Sequence, residues 1–339
     1  MPSPQKVAKR KPAPKIRALD LFCGAGGSSL GARAAGVQIV GGVDLSNLAE
    51  KVYKDNFPKA HFFRRRIEGL SASAVKREVG PVQLLLASPE CTNHSCAKGA
   101  KRRSEASRQT AFEVLRFAKA FKPRWIVVEN VIQMKSWAKY AKWLRRLEGL
   151  GYKTTEHVLN AANFGVPQAR KRLFILADLL RKPPSEIGIQ DGRVPVRKVL
   201  NMNGVDAYSP LRKKGRAKRT LRHAMRAMRH VGTKRPFIVV YYGSDGAGGW
   251  QRLTEPLRTV TTLDRFALVR RIDGGHKMRM LQVPELWAAM GFPDDFKLNH
   301  GVRRERIGLF GNAVCPPVMT AIIKTLVSAN GEAARRNDG

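Results

Sequence analysis

Arg17-Ala18-Leu19-Asp20-Leu21-Phe22-Cys23-Gly24-Ala25-Gly26-Gly27-Ser28-Ser29-Leu30 is the stretch from which the fold is read. A short apolar run, Arg17–Phe22, enters a glycine-rich turn, and a helix is predicted around Ser29–Ala35. Glycines at such a turn let the backbone approach a ligand closely and take dihedrals closed to other residues. The pattern is not the Gly-x-Gly-x-x-Gly of dinucleotide loops, and it lacks the Gly-Lys-Ser/Thr ending of a phosphate loop. By itself it fits a nucleotide loop, a phosphate loop or a tight turn. The next apolar run ends in Gly42-Val43-Asp44. An acid at the tip of the second strand is placed to bond ribose hydroxyls, or to cap the following helix. Loop and acid together favour an adenosine-containing cofactor.

Outward from this turn, apolar runs alternate with helical stretches. Val37–Val43 is followed by a helix around Leu48–Asn56, and further runs lie at Gln83–Ala87, Trp125–Val128 and Leu173–Ala177. Such runs separated by helices predict an α/β fold, a parallel sheet covered on both faces. Residues 1–15 combine Pro, Lys and Arg with few apolar residues and are expected to be a disordered basic tail. After Asp178 the rhythm is lost. Residues 184–253 carry scattered Pro and Gly and a basic segment, Arg212 to Arg235, that suits a solvated helix or loop or, better, a DNA-facing surface. Order returns at Pro256–Thr262, Met278–Phe296 and Arg306–Val318.

The chain has 339 residues, 63 Lys+Arg against 26 Asp+Glu, and a formal net charge of +37. A surplus of that size implies a polyanionic partner, nucleic acid before anionic membrane. No apolar run of spanning length and no signal-peptide pattern is found, so no membrane partner is expected and the location is cytoplasmic, nucleoid-associated if bacterial. The four cysteines, Cys23, Cys91, Cys96 and Cys315, show no Cys-x-x-Cys zinc spacing. Free thiols in a reducing compartment, and no metal, are expected.

Three further segments carry chemistry. Ala87-Ser88-Pro89-Glu90-Cys91-Thr92-Asn93-His94-Ser95 follows the run Leu84–Leu86, which puts a thiol at the carboxyl end of a strand, where α/β folds place their sites. Trp125-Ile126-Val127-Val128-Glu129-Asn130-Val131 ends a strand on a carboxylate, and Gly165-Val166-Pro167-Gln168-Ala169-Arg170-Lys171-Arg172 supplies two arginines. With the glycine loop, and in this order, the chain resembles the S-adenosylmethionine-dependent cytosine-5 DNA methyltransferase family. The resemblance extends to Glu255–Thr261, Met290–Pro293 and Gly311-Asn312-Ala313-Val314, and so runs from about Arg17 to Ile323.

The resemblance implies a Rossmann-like methyltransferase sheet with a smaller target-recognition domain. The catalytic unit would be 16–183, completed by 305–330, with target recognition and hinge in 184–304. Cys91 would attack carbon 6 of a flipped cytosine, making the otherwise unreactive carbon 5 nucleophilic toward the sulfonium methyl. Glu129 would engage N3 and the exocyclic amine, Arg172 would reach O2, and Arg170 would stand nearby in a partly structural role. The cofactor would contact Asp20, Phe22, Gly24, Gly26, Gly27, Asp44, Leu45, Glu68, Pro89, Asn312 and Val314. Ser95, Lys98, Lys101, Arg102, Arg103 and Arg108, in a loop closing over DNA, and Arg212, Lys213, Lys214 and Arg216 would bind double-stranded DNA. A monomer is expected.

One departure stands out. The family has Pro-Pro-Cys-Gln where this chain has Pro89-Glu90-Cys91-Thr92. A carboxylate beside a thiol would raise its pKa, so Glu90 is predicted to point away from the sulfur, or to pair with a base such as Lys98. The departure leaves open a modified cytosine or an altered one-carbon donor. A tRNA cytosine-5 methyltransferase and a catalytically inactive DNA-binding regulator are the alternative functions.

Overall fold

The computed structural model describes residues 15–90, 109–189, 192–202, 208–242 and 249–337, with side chains to 328. Its larger sheet has seven strands in the order β3-β2-β1-β4-β5-β8-β6. These are β1 (Arg17–Leu21), β2 (Gln38–Asp44), β3 (His61–Arg64), β4 (Leu84–Ala87), β5 (Trp125–Asn130), β6 (Lys153–Asn160) and β8 (Lys171–Asp178). The first five run parallel, as the apolar runs predict.

β8 departs from that expectation, running against the other six strands. β8 is antiparallel to β5, and β6 is antiparallel to β8. The physical reason is the connection: β6 and β8 are joined through residues 161–170, which hold a single 3-10 turn (Ala161–Phe164) and no α-helix to carry the chain back, so a parallel crossover is not available. β6 itself has no apolar run to betray it, because as an edge strand it buries little.

Period-two alternation covers both faces. Leu19, Leu85, Ile126, Val128 and Ile175 face α3 (Ala72–Val79), α4 (Ala111–Phe121) and α5 (Tyr140–Glu148). Ala18, Leu84, Leu86, Val127 and Phe174 face α1 (Gly27–Ala34), α2 (Asn47–Asn56) and the carboxyl-terminal helix.

The smaller sheet is antiparallel, in the order β11-β10-β13-β14-β9, with β9 (Ser209–Pro210), β10 (Phe237–Val240), β11 (Trp250–Arg252), β13 (Phe266–Ile272) and β14 (Gly275–Met280). On one face Ile238, Val240, Phe266 and Leu268 merge into the main core beneath α7 (Val283–Ala289). On the other, Phe237, Val239, Ala267 and Val269 pack against α6 (Lys218–Val231). A two-residue parallel pairing, β7 (Gln168–Ala169) with β12 (Leu257–Arg258), ties the two regions together. The chain then returns through α8 (Arg303–Asn312) and α9 (Pro316–Asn337), and α9 packs on α1. Arg303–Ser328 is long and apolar enough to cross a membrane by length and composition, a stretch the sequence reading passed over. It is broken at 313–315, and its apolar window is 61% buried within the protein.

Candidate active site

The strand order reverses between β1 and β4, which opens a crevice at their carboxyl ends. The loop leaving β1 needs unusual backbone there. Phe22 has φ 59°, Gly24 φ 50° and Gly26 φ 81°. Gly26 N–H donates to the Cys23 carbonyl at 2.7 Å, and Cys23 N–H to the Val43 carbonyl at 3.0 Å. Asp44, at the end of β2, accepts from Gly24 N–H (2.9 Å) on Oδ2 and from Ser46 N–H (2.8 Å) on Oδ1. Both oxygens are therefore held in place with lone pairs to spare. Burial raises the Asp44 carboxyl above its ordinary range.

A cavity of about 650 Å³ lies over this loop. Of the predicted cofactor residues, Phe22, Gly24, Gly27, Asp44, Leu45, Glu68, Pro89, Asn312 and Val314 line it. Asp20 and Gly26 instead stand behind the wall. Asp20 is fully buried and accepts from Ser29 Oγ at 2.7 Å, and a Cβ on Gly26 would lie 2.7 Å from the Phe57 ring. A Cβ on Gly24, by contrast, would meet nothing within 4 Å, so the backbone there fronts open space into which a ligand can settle. Arg65, Arg66, Glu90 and Glu305 also line the cavity. The sequence reading did not place them at this cavity, since Glu305 lies far along the chain and Arg65 and Arg66 look like surface charge.

Glu129, at the end of β5, lies on the same wall and is 5% exposed. Its Oε1 is 3.2 Å from Nε of Arg172, which enters from β8. Burial pushes the Glu129 carboxyl up, and the Arg172 and Arg170 charges pull the other way. Arg170, 3% exposed, donates to the Val260 carbonyl at 3.0 Å and the Gly311 carbonyl at 2.9 Å. Its guanidinium thus joins three distant segments. Asn130, singled out only as part of a motif, donates to the Pro89 carbonyl at 3.0 Å. It fixes the chain just before Glu90 and Cys91. Cys315 lies behind this group, and burial pushes its thiol up to about 11. Cys23 is raised the same way, so both described cysteines stay protonated at neutral pH.

Residues 16–328 match the family described as C-5 cytosine-specific DNA methylase. The chain belongs to that family. The Type II methyltransferase M1.HphI of Haemophilus parahaemolyticus is 29% identical over 336 residues, 92% of this chain and 87% of that protein. M.AgeI, a Type II methyltransferase of Thalassovita gelatinovora, is 32% identical over 187 residues, 52% of this chain but only 43% of its own length. A tRNA (cytosine(38)-C(5))-methyltransferase of Rattus norvegicus is 27% identical over 172 residues, covering 50% of this chain and 44% of that one. Among solved structures, the Entamoeba histolytica methyltransferase EhMeth superposes with a TM-score of 0.69 at 16% identity, over 93% of this chain and 99% of that one. That likeness concerns the fold alone. Members of the family use S-adenosylmethionine as methyl donor.

In this methylase Cys91, Ser95, Lys98, Lys101, Arg102, Arg103 and Arg108 lie outside the described residues. Of the remaining predicted DNA contacts, Arg212, Lys213 and Lys214 are exposed. Arg216 is engaged in its own loop, donating to Ser209 Oγ at 2.8 Å and to the Pro210 and Leu211 carbonyls. The basic segment forms a helix rather than a loop. On α6, Thr220, Ala224 and Ala227 are buried, while Arg219, Arg222, Arg226 and Arg229 are exposed on the opposite side.

Proposed function

We propose that this methylase transfers a methyl group from S-adenosylmethionine to carbon 5 of cytosine in duplex DNA, with Cys91 as nucleophile. The observation that carries the reading is the ion pair, at 3.2 Å, between half-buried Arg172 and buried Glu129, which stands on the wall of the cavity that also holds the glycine loop and Asp44. The open space over Gly24 and the doubly anchored Asp44 fit an adenosine moiety with its ribose diol. When bound, the cofactor supplies an electrophilic methyl.

The chain's own residues do the rest. Addition of the Cys91 thiolate to carbon 6 pushes electrons toward N3 and O2 of the ring. Glu129, whose burial favours the protonated form, hydrogen-bonds N3 and relieves that charge, and Arg172 faces O2. Once carbon 5 is alkylated, loss of its proton expels the thiolate and restores the ring. Asn130 holds the Pro89 carbonyl, and with it the base of the nucleophile loop. The antiparallel sheet with α6 serves as the target-recognition domain in this reading. A cytoplasmic monomer acting on double-stranded DNA, with no membrane partner, is the working form it implies.

Labelled S-adenosylmethionine, offered with mixed-sequence duplex DNA and with bulk tRNA, tests the proposal. Label is expected on DNA, to vanish in Cys91→Ala and to fall about 100-fold or more in Glu129→Gln. Label on tRNA alone would establish the RNA substrate instead. DNA binding with no label on either would leave an inactive regulator.

A further inference from the structure

α5 divides its surface sharply. Tyr140, Trp143 and Leu147 recur at helical spacing and are buried, which leaves Lys142, Arg145 and Arg146 exposed on the other side. The helix follows β5 and the short turn Ile132–Ser136, so it begins at the carboxyl edge of the sheet, the edge that carries Glu129. Lys142 and Arg146 line a groove of about 540 Å³ there. This groove adjoins the cofactor cavity, and the two share Glu68 and Thr110. Arg65 and Arg66, just before Glu68 in the chain, line the cavity side of that boundary. Half-buried Phe112 lines the groove, with the Arg146 guanidinium 5.4 Å from its ring centroid.

The charges along this edge are uncommitted. Arg65, Arg66, Lys142 and Arg146 are all exposed, and among the described residues none of the four forms an ion pair or a side-chain hydrogen bond. Other cations on the same face of the sheet are engaged. Arg116 pairs with Glu113 and donates to the Leu70 and Ile67 carbonyls, and Lys76 donates to the Ala120 carbonyl. Arg116 thereby neutralises Glu113, one of the two acids of the groove. The other, Glu68, is taken by the cofactor in the reading given above. Folding thus gathers four cations about two adjoining hollows without protein partners, an arrangement that a polyanion relieves.

We infer that Arg65, Arg66, Lys142 and Arg146 form a phosphate track on the catalytic domain, separate from the arginines of α6, that holds the DNA strand beside the target base. The inference rests on the proposed function. With the target base received at Glu129 inside the cavity, the strand that carries it crosses the mouth of that cavity, and its neighbouring phosphates come to the cations alongside. Stacking on Phe112 directs the Arg146 guanidinium before a phosphate arrives. Such contacts position the strand and add no sequence preference.

Salt-dependent binding of the full chain to a mixed-sequence duplex of about 40 base pairs tests the track. In Lys142→Gln/Arg146→Gln the slope of log Kd against log salt is expected to fall by about 2, since each phosphate contact contributes about 0.9. Arg65→Gln/Arg66→Gln is expected to lower it by a similar amount. Lys142→Arg/Arg146→Lys, which keeps both charges, should retain the parent slope. Lys119→Gln/Lys122→Gln removes the same charge from the far end of α4, where both residues are exposed, and is expected to leave the slope unchanged. Unaltered affinity of the Lys142/Arg146 variant for S-adenosylhomocysteine shows that its fold is intact. An unchanged slope in either of the first two variants would overturn the track. An equal fall in the Lys119/Lys122 variant would also overturn it, because the general field of the protein would then be acting. A parent chain that methylates DNA while the slopes stay fixed defeats the track alone, whereas a parent that does not bind DNA defeats the DNA reading and the track together.

Discussion

Asp20 sits fully buried at the end of β1 and accepts a hydrogen bond from Ser29 Oγ, which in turn lies 2.7 Å from the Tyr53 hydroxyl. Its second oxygen has no partner among the described residues. Burial dominates and raises its carboxyl from 3.8 to about 7, with Ser29 opposing. The sign of the consequence follows from proton counting. Between about pH 4 and 7 the unfolded chain has lost this proton and the folded protein retains it, so stability falls as pH rises through that window. Asp20→Asn keeps the shape and removes the titration. Thermal unfolding at pH 5 and pH 8 is expected to show a drop in Tm smaller by about 3 °C in the variant than in the parent. An equal drop in both proteins would mean that Asp20 is ionised in the fold. The sequence reading took the residue for a cofactor contact, and it does not line the cavity. Only the packing of Ser29 and Tyr53 around it shows a carboxyl that supports the loop from behind.

At the scale of elements, α6 shows how one pattern serves two faces. Thr220, Ala224 and Ala227 repeat at helical spacing and are small, so the helix lies close on β10 and β11. The same repeat turns Arg219, Arg222, Arg226 and Arg229 outward in a single stripe. Among the described residues none of the four forms an ion pair, and the pKa of His223 is lowered by burial and then by the charges of Arg219, Arg226 and Arg222. Such a stripe suits a phosphate backbone, which positions without reading sequence. Replacing Arg222, Arg226 and Arg229 by Gln is expected to reduce the slope of log Kd against log salt by about 2 to 3 for duplex DNA. Methylation at saturating DNA and low salt should be unchanged. An unaltered slope would remove α6 from the interface. The sequence marked this segment as basic, but its face could not be assigned until the sheet beneath it was known. β6 was invisible for a related reason, since an edge strand with little buried surface has no apolar signature.

Across the whole molecule the site is assembled by contacts that are remote in sequence. Gly27 begins α1 so close to the returning chain that a Cβ would lie 2.1 Å from the Val314 carbonyl. A Cβ on Gly311 would fall 2.4 Å from the backbone of Thr261 and Thr262. Arg170 spans the same junction through the Val260 and Gly311 carbonyls. Gly311→Ala must push α8 away from residues 260–262, at a cost of about 1 to 3 kcal/mol. Denaturant unfolding is expected to show that loss, and the variant's affinity for S-adenosylhomocysteine should fall with it, because Asn312 and Val314 follow directly. Full retention of both would show that the junction yields without disturbing the cavity.

The sequence by itself determined the parallel half of the large sheet, the glycine loop, and the strand-end positions of Asp44 and Glu129. These follow from local signals: apolar runs buried on both faces, turns that demand glycine, and acids at strand ends. Tertiary structure alone decided which charges meet. It turned Arg170 into a brace and put Arg65, Arg66, Glu90 and Glu305 on the wall of the cavity over the glycine loop. Those outcomes depend on segments far apart along the chain coming within a few ångströms, and no local pattern encodes a distance of that kind.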